Sequence, residues 1–245
     1  MTKDNSTPIK RRFFLMLGGA AVMTGCVTDG MVLPSIPGGA GGLTEADAAA
    51  GIRAALNNGV GSAISLIGVR DGFLRNPQIH IPLPGFLQDM QSSLSRLGLS
   101  GPLDTLETQL NRGAETAVPR ARSIFVNAIS SMSIRDAVGV VRGGENAATT
   151  YLKDRTFSPL TNLFTPIMSN ALQETGAVKT LDSLDARLRS IPLAPRLGAD
   201  AKTDLIRHGV QFGLDGMFLY IAKEEAAIRS NPAKRTSEIL RRVFG

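Results

Sequence analysis

Apolar residues recur at helical spacing along nearly all of the chain beyond residue 44. Ile52, Leu56, Val60, Ile64 and Ile67 fall about a turn apart, and Thr44 with Asp47 ahead of them reads as an N-terminal cap. Phe86, Met90, Leu94 and Leu97 form the next stripe, which Gly98 stops. Leu103, Leu106, Leu110, Ala114, Ala117, Ala121, Ile124, Ala128 and Met132 run through one long helix or two collinear ones. Pro119 either kinks that helix or opens its second half. Ser133 with Asp136 caps a short helix ending at Gly143-Gly144. The pattern then predicts a helix over about 145–155 and another opened by Ser158-Pro159, bent at Pro166 and ended by Gly176. A helix near 178–190 is closed by Ile191-Pro192-Leu193-Ala194-Pro195. A long pattern starts at Asp200 with Leu205, Phe212, Phe218, Ile221 and Ile228 inside. Asn231-Pro232 opens a terminal helix that sets Lys234, Arg235, Arg241 and Arg242 opposite Ile239, Leu240 and Val243.

Nothing alternates with period two over a full strand length. The nearest stretch, Gln78-Ile79-His80-Ile81-Pro82-Leu83, is held extended by its prolines and reads as a loop over the bundle. No fixed-period repeat is visible, which argues against a solenoid. The expectation is an all-α fold, a single bundle of about eight to ten helices over residues 43–245.

The first 42 residues follow a different logic. A polar start ends in Lys10-Arg11-Arg12, and an apolar stretch, 13–25, leads to Cys26. As a helix that stretch reaches roughly 20 Å, short of the ~30 Å hydrocarbon core, so it fits a signal sequence better than a permanent span. Arg11-Arg12-Phe13-Phe14-Leu15 resembles a twin-arginine export signal, with Arg11, Arg12, Phe14 and Leu15 in the defining places. Twin arginines also occur in general secretory signals, so both routes stay open. Met23-Thr24-Gly25-Cys26 resembles a lipobox, with Met23 where leucine is usual. Cys26 is the one cysteine in the chain, and a thiol is the side chain that lipid attachment requires. The other reading of Cys26 is a small apolar residue of no special role. Residues 26–42 hold five glycines and two prolines and read as a lipidated cysteine followed by a flexible tether. Val27 stands where an aspartate favours inner-membrane retention, so the resemblance implies an outer-membrane lipoprotein facing the periplasm.

Composition changes this picture in two ways. The formal charge of +6 comes from 27 basic and 21 acidic residues. Cleavage before Cys26 removes four of the first and one of the second, leaving 23 and 20 and a net of +3. So small and interleaved an excess does not predict nucleic-acid binding. The chain has no tryptophan and two tyrosines, which argues against a cleft that stacks sugars or bases on aromatic faces.

Candidate chemistry is sparse. His80 and His208 have no acidic partner at metal-site spacing, so no metal and no cofactor is expected. No serine sits in a nucleophile turn. Gly143-Gly144 ahead of a helix is either an anion-binding N-terminus or a tight connection. Asp215, Glu224 and Glu225 share one predicted helix. Asp215, among Leu214, Met217 and Phe218, is either a buried acid for proton transfer or a local hydrogen-bond acceptor, with Glu224 and Glu225 facing water. The irregular segment 71–84, with Asp71, Phe73, Asn76 and His80, is either a binding loop or a cover in which Phe73, Leu74, Ile79 and Ile81 seal the bundle.

Several segments together carry a family resemblance. They are Asp71-Gly72-Phe73-Leu74 with Asn76-Pro77, Ile81-Pro82-Leu83-Pro84, Leu214-Asp215-Gly216-Met217-Phe218 on to Glu224-Glu225, Asn231-Pro232 with Arg235-Thr236, and the ending Arg242-Val243-Phe244-Gly245. Over roughly 50–245 the chain resembles the bacterial domain of unknown function 4197 family. That resemblance implies an exported helical protein and brings no activity, ligand or catalytic residue. The expected function is a monomeric, lipid-anchored binding or envelope-maintenance module whose partner is another envelope protein or an apolar small molecule. The rival is a hydrolase or lyase using carboxylates near Asp215 with a histidine. A third reading is a structural protein held weakly to lipid head groups by Arg235, Arg241 and Arg242.

Overall fold

The computed structural model describes residues 44–174 and 200–230, with 179, 181–183 and 186 between them. The export-signal residues Arg11, Arg12, Phe14 and Leu15, Cys26, the tether, the segment closing at 191–195 and the terminal helix from Asn231 all lie outside the described residues. The fold is all-α. Among the described residues there are seven helices: α1 Glu45–Ile67, α2 Gly85–Ser95, α3 Gly101–Arg120, α4 Arg122–Ser130, α5 Ile134–Arg142, α6 Ala147–Glu174 and α7 Ala201–Ser230. No single one of them is long and apolar enough to cross a membrane.

Two helices start where local chemistry dictates. The Thr44 hydroxyl accepts from the Asp47 N–H, and the Asp47 carboxylate accepts from the Thr44 N–H, closing a capping box on α1. Ser133 and Asp136 repeat the device on α5, and the hydrogen bonds from Ser133 hold the Asp136 carboxyl below its ordinary range. Gly98, at φ 70°, ends the α2 turn in the left-handed region. A one-residue turn at Ala121 separates α3 from α4, with Pro119 in the last turn of α3.

The region 147–174 corrects the expectation of two helices broken at Ser158-Pro159. It is one helix, α6, with Pro159 and Pro166 both inside. Proline removes a bond to the carbonyl four residues back, here Arg155 and Asn162. Both prolines and both of those residues are exposed, so water can satisfy the freed carbonyls. On the opposite face Leu152, Leu160, Phe164 and Met168 are fully buried, and that packing carries the helix through its prolines.

The core is one large cluster with a small satellite of Ala55 and Ile228, and α7 packs in it against α1, α3 and α6. Close approach depends on a glycine row along α7. A Cβ at Gly209 would lie 2.8 Å from Leu110, one at Gly213 3.4 Å from Ala114 and Phe164, and one at Gly216 3.0 Å from Ile79 and Phe73. The short α2 packs mainly on α3.

Candidate functional site

Between α1 and α2 the chain runs from Gly68 to Pro84 without regular structure, and polar side chains of α3 and α7 converge on this loop. Its apolar residues turn inward: Phe73, Ile79, Ile81 and Leu83 are buried in the core. Burying each contributes roughly 1.5–3 kcal/mol. A buried loop must also find partners for its backbone, since no ladder or helix supplies them.

Those partners come from one side of α3. The amide of Asn111, itself fully buried, accepts from Ile81 N–H at 2.9 Å and donates to Ile81 C=O at 2.8 Å. Glu115, also buried, accepts from both Phe73 N–H and Leu74 N–H at 3.0 Å. Arg112 bridges the buried Glu115 and the half-buried Asp71, donating to Glu115 at 2.6 Å and to Asp71 at 2.7 Å. The hydrogen bond from Arg112 and its charge, with help from Arg75 and Arg70, hold the Asp71 carboxyl below the usual carboxylate range. Asp71 sits at φ 69°, a left-handed conformation that an aspartate tolerates better than most residues. Next to it a Cβ on Gly72 would come within 2.3 Å of the Ile67 carbonyl oxygen, so only glycine fits.

His80 links three elements. Its Nδ1 lies 2.9 Å from the Leu74 carbonyl oxygen, an acceptor, so Nδ1 carries a proton. Its Nε2 lies 2.5 Å from Glu107 of α3, whose other oxygen accepts from Gln91 of α2. On the far side α7 completes the clamp. Asn76 donates to the Tyr220 hydroxyl, Lys223 donates to the Gln78 amide oxygen, and His208 donates from Nε2 to the Pro82 carbonyl.

The four loop residues singled out in the sequence are thus brought together, and each is engaged inside the molecule. Asp71 holds Arg112, Phe73 is core, Asn76 binds Tyr220 and the Gln78 N–H, and His80 has both ring nitrogens occupied. Phe73, Ile79 and Ile81 lie in the core while Leu74 is only partly buried. The partners Glu107, Asn111, Arg112 and Glu115 were not read from the sequence. Their only signal is an unusual density of polar groups at 107, 111, 112 and 115, one face of α3 two turns long.

The acidic trio on α7 is dispersed. Asp215 is half exposed, accepts from Gln211 at 2.8 Å and lies 3.6 Å from Lys153. It is therefore a local acceptor and not the buried acid. Glu224 is partly buried. Glu225 corrects the expectation that it faces water. It is buried, and it accepts from Ala148 N–H, Thr149 N–H and the Thr149 hydroxyl while Arg229 bonds its other side. The unsatisfied N–H groups at the start of α6 find their acceptor in a carboxylate from another helix, which also complements the helix dipole. Asp215 and Glu225 hydrogen-bond to neither histidine, and ten residues of helix place them roughly 15 Å apart along the axis. Among the described residues no group of three His, Cys, Asp or Glu is placed to hold a metal ion. The apolar hollow beside Glu225, lined by Ile52, Leu56, Val60, Val140 and Ile221, has a volume of about 30 Å³.

The family model for "Protein of unknown function (DUF4197)" matches residues 42–245. The chain belongs to this family. No curated protein and no solved structure matches it at a significant level. In this DUF4197 chain the matched region coincides with the compact unit that holds the helices, loop and clamp.

Proposed function

We propose that this DUF4197 chain is an exported lipoprotein, lipidated on Cys26, whose helical domain works in the cell envelope as a non-catalytic binding or maintenance module. The observation that carries the reading is the placement of the chain's one cysteine directly after a short apolar segment headed by Arg11-Arg12. Two or three acyl chains there hold a protein stably, where one alone is marginal. Val27 favours the outer membrane, and Phe14 and Leu15 after the arginine pair favour the folded-protein export route.

The geometry supports the non-catalytic half. The polar residues of the loop are engaged in holding it, and the hollows of about 30 Å³ beside Glu225 and about 140 Å³ beside Arg120 are both below the ~300–1,000 Å³ of ordinary ligand pockets. That favours a surface partner over an apolar small molecule held between helices. The test is the intact mass of the native, membrane-extracted protein beside a Cys26→Ser variant. The expected result is a mature chain beginning at residue 26 with the added mass of acyl chains, absent in the variant. An uncleaved and unmodified chain in the cell would falsify the proposal.

A further inference from the structure

Two buried side chains stand apart from the main core. Ala55 of α1 and Ile228 of α7 are 5% and 8% exposed, yet they form the small satellite and not part of the large cluster. Between their helices the apolar hollow beside Glu225 extends over Ala55, Gly59 and Ile228 and is half open. The two helices approach closely there, since a Cβ on Gly59 would lie 3.5 Å from Glu224 and 3.6 Å from Ile228. Small residues at 55 and 59 thus leave a shallow apolar seam between α1 and α7. At about 30 Å³ the hollow has room for the tip of an aliphatic side chain and none for a free ligand of ordinary size.

The chain that follows α7 suits this seam. Helix α7 ends at Ser230, and Ile228 and Arg229 in its last turn line the hollow, so residues 231–245 begin at the edge of the seam. Asn231-Pro232 joins a favoured helix cap to the residue favoured at the first helical position. Over 233–244 helical spacing puts Ile239, Leu240, Val243 and Phe244 on one side, with Lys234, Arg235, Glu238, Arg241 and Arg242 on the other. A helix over that stretch spans about 18 Å, and the hollow runs about 12 Å along α7, from Ile221 to Arg229. A short turn at Asn231-Pro232 is enough to lay one antiparallel on the other. Charge agrees, for the segment carries four basic residues to one acid, and Glu224 stands on the rim beside Gly59. The family match and the compact unit both run through residue 245.

We propose that residues 231–245 fold back as a helix over the α1–α7 seam, seating Leu240 and Val243 against Ala55, Gly59 and Ile228. Docked there, the segment closes this side of the bundle, and an envelope partner has to use another face. The proposal is independent of the lipid anchor. Its test uses full-length protein carrying Cys26→Ser and Ala55→Cys, combined in turn with Leu240→Cys, Val243→Cys, Lys234→Cys or Arg241→Cys. Under mild oxidation a disulfide forms within the chain only where the two Cα atoms come within about 7 Å. The bond is expected with Leu240→Cys or Val243→Cys and not with Lys234→Cys or Arg241→Cys. No such bond at either apolar position, equal yields at all four, or bonds only between two chains overturns the proposal. In a chain without added cysteines, L240S/V243S is expected to melt roughly 5–10 °C below wild type, and K234S/R241S with it. Wild-type melting of L240S/V243S overturns the proposal as well.

Discussion

Asn111 is fully buried and uses both ends of its amide on the Ile81 backbone, with a third bond to the Glu107 carbonyl. Replacing it by alanine leaves the Ile81 N–H and C=O without partners in a region water does not reach. Each orphaned group costs roughly 1–3 kcal/mol, so Asn111→Ala is expected to lose about 3 kcal/mol. Urea unfolding would show a lower midpoint with an unchanged slope. A loss under ~1 kcal/mol would mean that the loop relaxes and finds water, and the clamp would not be what holds it. The residue was illegible in the sequence because an asparagine between Leu110 and Arg112 on a helix reads as surface. What makes it core is a loop some thirty residues earlier. Glu225 misleads in the same way, since its partners Ala148 and Thr149 lie over seventy positions away. Thr44 and Ser133 were legible because a cap needs only the next three residues.

At the scale of elements, the glycine row of α7 gives a graded test. Alanine is better than glycine inside a helix by about 1 kcal/mol. At Gly213 the added Cβ meets ordinary contacts at 3.4 Å, so Gly213→Ala is expected to be neutral or to raise the melting temperature. At Gly216 it meets the Cβ of Ile79 and the ring of Phe73 at 3.0 Å, groups fixed in the packed loop. Overpacking there costs about 1–3 kcal/mol, so Gly216→Ala is expected to melt lower than wild type. Equal shifts for the two variants would show that the loop yields and is not wedged against α7. Helix periodicity alone exposed most of these elements and the all-α class. It failed at Pro159, where a sound local rule about proline at a helix start met a helix held by Leu152, Leu160 and Phe164 on its other face. Propensity described the exposed side, while packing set the outcome.

For the whole molecule, the compact unit covers 42–245 and Cys26 stands outside it. Cys26→Ser is therefore expected to move the protein out of the membrane fraction while leaving its unfolding midpoint where it was. A shift in that midpoint would tie the anchor to the fold. The segment 71–84 was legible as a unit, and its two candidate roles were not separable, because Phe73 and His80 suit a binding loop and a sealed one equally well. The partners that hold the segment, on α3 and α7, lie too far along the chain to be read from it.

The long helix α7 packs on α1, α3 and α6, yet it is the last of the described helices along the chain. Until it leaves the ribosome, α1, α3 and α6 can pack on one another and on α4 and α5, but the faces they turn to α7 stay open. At roughly 5–20 residues per second, α1 waits on the order of ten seconds for that partner. On the proposed exported reading, a translocase that threads unfolded polypeptide would meet the chain while those faces are still open. One that carries folded cargo would have to wait until α7 is made. If the chain is exported as proposed, the place of a single helix in the sequence makes the choice of route a matter of timing during translation.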